Sequence, residues 1–400
     1  MSKASTSFSW STVDAALRRG DVSGAAAITL EGLRATTFDG RGQFFSELSS
    51  AMLTLARAPE TASCVAEACE ALWEMPEFRS NSSYTSSLTG EALLLAVILA
   101  TAYTTVDKFE RAIAFDAEVL QSSAFFTYSG LTLYDRLACV ARVLMASRMT
   151  ASPHHADSAV QKGMSLYHAI TSRAVCQSSE EETQQHRHTA VCAYLLELGL
   201  YRQERRDYLR AFHSFFALHE NSDDMVALQR AALCALCIRT SEVDRQAALC
   251  SVTQRRSAAL LPLQLCNGMH IVHNGGLFSA ADVEGVLAAA RSYMPPSTLR
   301  AALREHNIVI LAKTLECVHW RSLCLHMDDE HITEGELYDL LVSMVRLQRV
   351  RATIHQDTGF IEFTSSPAGA HAEITDIDAF KRVAEAAAAI GKEHPELLLV

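Results

Sequence analysis

Histidine and cysteine are the residue types in this chain that could do chemistry, and each grouping of them is incomplete. His186 and His188 form a His-x-His pair. In zinc metalloproteases such a pair holds the metal together with an aspartate further along and a serine nearby. Here Leu196 and Gly199 stand where serine and aspartate are needed, inside an apolar helical stretch. The two histidines are therefore expected on a solvent-facing first turn. Cys234 and Cys237 make a C-x-x-C without a second pair or a histidine set to complete a zinc or redox site. Their Ala/Leu surroundings predict core packing, and Cys64 and Cys69 read the same way. His154-His155 and His270-x-x-His273 lack a nearby carboxylate set. Asn274-Gly275-Gly276 lacks the Lys-Ser/Thr of a phosphate loop and reads as a turn after a helix. No nucleophile elbow is present, although a Ser/His/Asp triad gathered from distant positions is not decided by sequence. Accordingly no catalytic, cofactor-binding or metal-binding residue is assigned.

The elements that would position any site are predominantly helical. The chain has 400 residues, 49% of them hydrophobic, and only eight prolines. The first 350 residues are expected to be nearly all helix. Turn signals at Ala58-Pro59-Glu60, Arg79 to Ser83, Ala151 to His155, Asn221 to Asp224 and Met294 to Ser297 separate helical hairpins. A weak repeat links Phe109-Glu110-Arg111-Ala112, Ala156-Asp157-Ser158-Ala159 and Tyr208-Leu209-Arg210-Ala211, with Tyr103 and Tyr201 ending the helices before the first and third. A small residue at the fourth place lets antiparallel helices approach, so a stacked solenoid is favoured over a closed bundle.

From residue 298 the pattern changes. Thr298 can cap a helix running to Leu315, and a short helix from Trp320 to His326 should follow. Thr333-Glu334-Gly335-Glu336 then forms a capping box opening a helix through Leu337, Leu340, Leu341, Met344 and Val345. Val350 to His355 and Phe360 to Thr364 alternate apolar with polar residues across Gln356-Asp357-Thr358-Gly359, a hairpin. Helix, helix-turn-helix and hairpin predict a winged helix. After a polar connector, Ile377, Phe380, Ala384, Ala387 and Gly391 form one stripe of a last helix from about Asp376. The fold class is thus all-α: a helical-hairpin (TPR/HEAT-like) solenoid over 1–295, a winged-helix subdomain with a small β wing over 296–366, and a C-terminal helix over 374–394.

Charge argues against nucleic acid. With 35 Lys+Arg against 46 Asp+Glu the net charge is −11, unsuited to a phosphate backbone. Glu334, Glu336 and Asp339 open the would-be recognition helix and would repel phosphate. Arg346, Arg349 and Arg351 near the wing are expected on a solvated face, or against an acidic partner or nucleic acid. The start of the chain has no secretory core, no run is long enough to span a membrane, and the longest apolar run, Ala92 to Tyr103, reads as a buried helix. Eleven scattered cysteines suit a reducing, intracellular compartment.

Helical repeats running into a winged helix and closed by a C-terminal helix resemble the PCI-domain scaffold proteins of the proteasome lid, the COP9 signalosome and a translation initiation factor. The similarity sharpens over 225–364. Ala227-Leu228-Gln229-Arg230-Ala231-Ala232-Leu233-Cys234 and, above all, Arg304-Glu305-His306-Asn307 followed by Leu311-Ala312-Lys313 look like the subunit-4 family of the signalosome. The spacing to Gly359-Phe360-Ile361-Glu362-Phe363 also fits. The same Glu-His-Asn helix marks the lid paralogue, which is usually longer at its N-terminal end, and the polar insertion that relatives carry before this helix is reduced here to Pro295-Pro296-Ser297. The resemblance implies a non-catalytic subunit of a complex that removes NEDD8 from cullin-RING ubiquitin ligases, in the cytoplasm and nucleus, with the metalloprotease in another subunit. It implies no cofactor, metal, nucleic acid or membrane. Its partners would be other PCI and MPN subunits, and the cullin-RING ligase would be its substrate. The wing edge, with Ile361 and Phe363, would join an arc of PCI domains, and Ile377, Phe380, Ala384 and Ala387 would enter a helical bundle. Arg304, Glu305, His306 and Asn307 would be structural, with His306 hydrogen-bonded in the interior.

Overall fold

The computed structural model describes residues 9–35, 41–74, 90–173, 181–328 and 332–364. The chain is mostly helical with one small sheet toward its C-terminal end. It divides into two compact units, 1–234 and 235–400.

The first unit contains α1 (Trp10–Arg18), α2 (Val22–Ala35), α3 (Arg41–Ala56), α4 (Pro59–Trp73), α5 (Gly90–Thr105), α6 (Phe109–Gln121), α7 (Ala124–Thr127), α8 (Leu133–Met149), α9 (Ala156–Arg173), α10 (Glu181–Glu204) and α11 (Tyr208–Ser222). Helices pack mainly on near sequence neighbours: α5 on α4 and α6, α8 on α6 and α9, α10 on α8 and α11. That is the quasi-one-dimensional order of stacked hairpins. The whole of 92–103 in α5 is buried, so this helix is apolar on every side because neighbours cover every side.

The three repeat segments fall on the first turns of α6, α9 and α11, and their alanines, Ala112, Ala159 and Ala211, are completely buried. Larger side chains there would hold the stacked helices apart. Gly163 and Gly199 serve the same end, because an added Cβ would meet the rings of Tyr194 and Phe215 at 2.4 and 2.6 Å.

The turns ahead of these helices share a closure. Asp107, Ala151 and Arg206 take φ values of 57, 51 and 61°. The amides after them, on Lys108, Ser152 and Asp207, donate to the carbonyls of Tyr103, Ser147 and Arg202. This is the left-handed Schellman ending, occupied here by residues with a Cβ instead of glycine. The buried Arg136 of this unit donates to the Tyr128 carbonyl, and two other arginines are paired with carboxylates of neighbouring helices. Arg142 of α8 donates twice to Asp116 of α6, at 2.8 and 3.2 Å, and Arg148 of α8 pairs with Glu197 of α10 at 3.2 Å.

Helix α12 (Met225–Leu236) contains the division between units. The second unit continues with α13 (Glu242–Thr253), α14 (Leu263–His273), α15 (Ala280–Ala290), α16 (Pro296–Leu311), β1 (Cys317–His319), α17 (Trp320–His326), α18 (Glu334–Arg346), β2 (Ala352–His355) and β3 (Phe360–Phe363). Residues of α16 are hydrogen-bonded to main chain at 276 and 278, which ties the α13–α15 region to the helix that follows.

Thr333 forms the expected capping box with Glu336. Helix α16 begins two residues before the expected cap at Thr298, since Pro296 is itself well suited to a first helical position. Ile308, Val318, Leu323, Leu337, Leu341, Met344, Ile361 and Phe363 make one apolar core beneath the sheet and α16–α18. β1 was not anticipated: three residues are too few to show an alternation.

Candidate functional site

Two features of the second unit are built from the residues that the sequence singles out. The first is the sheet, whose strand order is β1-β3-β2, antiparallel throughout. Phe363 N–H donates to Glu316 and Trp320 N–H to Gly359 on the β1 side, while Thr364 N–H donates to Arg351 on the β2 side. Alternation along an antiparallel ladder then assigns the main-chain groups of Ile361 and Phe363 to β1, and those of Phe360 and Glu362 to β2. β3 is therefore central, and the side chains of Ile361 and Phe363 are buried. This corrects their assignment as an open, partner-binding edge. Among the described residues the edges belong to β1 and β2.

On β2 the same alternation turns the N–H and C=O of Ala352 and Ile354 outward. Both side chains are half-buried against the core, whereas Arg351 and Thr353 are exposed. The strand has neither proline nor an inward-facing charge, the usual devices that block an edge.

The second feature surrounds Arg304, Glu305, His306 and Asn307. Arg304 is half-buried and the other three are buried. Asn307 reads the main chain of Phe278 as a strand would: its Oδ1 accepts the Phe278 N–H and its Nδ2 donates to the Phe278 carbonyl, both at 2.9 Å. His306 Nε2 lies 2.9 Å from the Gly276 carbonyl, an acceptor, so Nε2 carries the hydrogen and Nδ1 is left to accept from Arg245 Nη1 at 3.2 Å. Burial, and then the charge of Arg245, lower the His306 pKa to about 4. The ring is neutral and structural, packed edge-on to Phe278 at 5.5 Å.

Glu305 receives Arg239 Nη2 at 3.2 Å on Oε1, and Arg349 on Oε2. Burial pushes its carboxyl up from the ordinary value against the pull of these guanidinium groups. Arg349 thus leaves the solvated face expected for it and turns into the interior. It follows a left-handed Gln348, and its amide closes α18 on Met344. Arg239 and Arg245 gave no sequence signal. Isolated arginines more than fifty positions from their partners look like any surface cation.

The remaining candidates separate. His186 faces Asp135 at 3.4 Å, and His188 faces the Asn221 carbonyl at 2.9 Å, so the pair diverges. Both sit on the second turn of α10, His186 half-buried and His188 exposed. Among the described residues no group of three His, Cys, Asp or Glu could hold a metal. Cys234 and Cys237 are buried, and burial pushes the Cys237 thiol up to about 12. Ile377, Phe380, Ala384 and Ala387 lie outside the described residues. No described helix is long and apolar enough to cross a membrane. No family model matches the chain, and no curated protein matches it.

Proposed function

We propose that the chain is a non-catalytic scaffold subunit of a COP9 signalosome-type complex, which removes NEDD8 from cullin-RING ubiquitin ligases through an isopeptidase carried by a different subunit. The observation that carries this reading is the β2 edge, unpaired among the described residues at Ala352 and Ile354, that follows a long helical chain. An unpaired edge over a half-buried apolar row accepts a neighbour's strand by main-chain hydrogen bonds. The order helix, strand, helix, helix, hairpin is that of a winged helix, and helical repeats leading into it follow the plan of PCI subunits. The interior placement of Glu305, His306 and Asn307 supports a structural role for that motif. Other PCI and MPN subunits would be the partners, and the cullin-RING ligase the substrate, in the cytoplasm and nucleus. The stripe of Ile377, Phe380, Ala384 and Ala387 would enter a shared helical bundle.

The same Glu-His-Asn helix favours one rival, the paralogous scaffold subunit of the proteasome lid; a generic helical-repeat adaptor is the coarser alternative. Affinity purification of the tagged full-length chain, followed by mass spectrometry, separates them. Cullins with PCI and metalloprotease subunits support the signalosome, and proteasome base ATPases move the assignment to the lid. Co-purification of ribosomal initiation factors alone rejects both. Ala352→Pro removes an outward N–H from an edge strand, where proline is tolerated, and is expected to fold yet lose its neighbouring PCI subunit. Normal assembly of that variant would show that the β2 edge is not used.

A further inference from the structure

From Arg245 to Ala281 the chain has no aspartate or glutamate, a run of 37 positions in a molecule that carries 46 of them in 400. The middle of this run is the turn between α13 and α14. Arg255 leads into a short 3₁₀ segment, Arg256–Leu260, followed by Leu261, Pro262 and the first residue of α14, Leu263. Ala258 and Leu261 face inward, and the Cys266 thiol donates to the Ala258 carbonyl at 3.6 Å, so the turn is anchored on α14. Leu260 and Leu263, at the same three-residue spacing, face outward and are 74% and 69% exposed. Arg255 and Arg256, in the same turn, are exposed as well.

A single exposed leucine is ordinary on a protein surface. Two on one anchored turn, with two arginines and no carboxylate in the segment, make an apolar knob with a positive collar. Acidic residues of the adjoining helices do not neutralise it. In α15, which packs on α14, Asp282 is committed to its capping box with Ser279, and Glu284 pairs with Arg300 at 2.7 Å. Glu242 and Asp244 open α13, and the length of that helix, about 15 Å, separates them from Arg255. That exceeds the screening length of about 8 Å at physiological salt. The same length decides what can approach. An anionic membrane is a plane that meets a whole side of a molecule of net charge −11, whereas a short protein segment meets only the turn. A second copy of the chain, docked through the same turn, would set arginine against arginine.

We propose that the turn at 255–263 is a docking knob for an acidic segment of a partner protein. A large apolar side chain of that segment covers Leu260 and Leu263, removing their surface from water, and its carboxylates meet the guanidinium groups of Arg255 and Arg256. The contact uses none of the residues of the β2 edge and does not depend on which complex the chain enters.

The test places a photo-crosslinking side chain in the tagged full-length chain, as Leu263→p-benzoylphenylalanine, with Val243→p-benzoylphenylalanine as the control. Val243 is similarly exposed, at 78%, but stands between Glu242 and Asp244. After irradiation in the chain's own cells, mass spectrometry identifies the crosslinked peptide. The expected product is a protein segment with at least two carboxylates and a large apolar side chain, joined at 263 and absent at 243. That segment, made as a labelled synthetic peptide, should bind the full chain about fivefold more weakly after Arg256→Gln, the worth of one exposed ion pair, and about tenfold more weakly after Leu260→Ser. Both positions are exposed, so both variants are expected to keep the fold. No crosslink above the control, a crosslink to lipid, or one to a segment without carboxylates would overturn the knob, as would peptide binding unchanged in either variant. None of these outcomes alters the reading of the complex, which rests on what co-purifies with the unmodified chain.

Discussion

Both units bury arginines, and they balance them differently. In residues 1–234, Arg142 meets Asp116 through two hydrogen bonds and Arg148 meets both Glu197 and Glu204 of α10, so that each arginine bridges neighbouring helices of the stack. In residues 235–400, Arg239, Arg245 and Arg349 share Glu305, with Glu242 at the margin. An arginine whose carboxylates all lie on one neighbouring helix fixes the register of two helices. A shared carboxylate fixes several segments at once, here the turn before α13, α16 and the turn before β2. The second arrangement depends on a single residue, so its failure should be more abrupt.

Substitution of the shared carboxylate is the severest way to break that contrast. Glu305→Gln leaves three guanidinium groups around a neutral amide and is expected to cost about 3–5 kcal/mol, toward the upper end of what breaking a buried pair costs. Asp116→Asn should cost about 3 kcal/mol, because only Arg142 is stranded. Urea unfolding followed separately for each unit checks both. Equal losses, or a loss from Glu305→Gln felt in the first unit, would contradict the comparison.

Acid should act on the second unit through His306. Its folded pKa, about 4, is below the ordinary value of 6.5, so the unfolded chain binds the proton first. The stability conferred by the neutral ring is full above pH 6.5 and is lost as pH falls through 4, up to about 3 kcal/mol over that window. His306→Gln should flatten this slope in denaturation curves taken from pH 7 to 4.

Smaller effects address packing and turns. Gly199→Ala drives a methyl group toward the Phe215 ring and is expected to cost about 1–3 kcal/mol, confined to the first unit's transition. At the other end, Arg206→Gly and Gln348→Gly relieve left-handed backbone in one unit each, and each should gain about 0.5–1 kcal/mol in thermal unfolding. A loss at either position would mean that the side chain is anchored more firmly than the turn is strained.

The same contrast explains what was legible. Ala112, Ala159 and Ala211 announced themselves because stacked helices demand a small residue at a fixed place. Thr333 with Glu336, and Gly359 at φ 73°, are local signals for a cap and a turn that the structure contains. The turn closures at Asp107, Ala151 and Arg206 were obscure because the usual glycine is missing. The pattern put Ile361 and Phe363 on one face but could not say that β3 is central, since β1 is too short to be seen. The cluster around Glu305 was half visible: Glu305, His306 and Asn307 stood out as a motif, but their arginine partners come from two distant stretches, 239–245 and 349, with no shared pattern.

The buried thiols give each unit its own clock. Cys69 and Cys139 in the first unit and Cys237 in the second are fully enclosed and pushed up to about 12, whereas Cys317 is exposed. Alkylating reagents attack thiolate that solvent can reach, so Cys317 should label at once and the other three only when their surroundings open. Mass-resolved labelling over time would therefore read the opening rate of each unit from unmodified protein, in one sample and without any engineered probe.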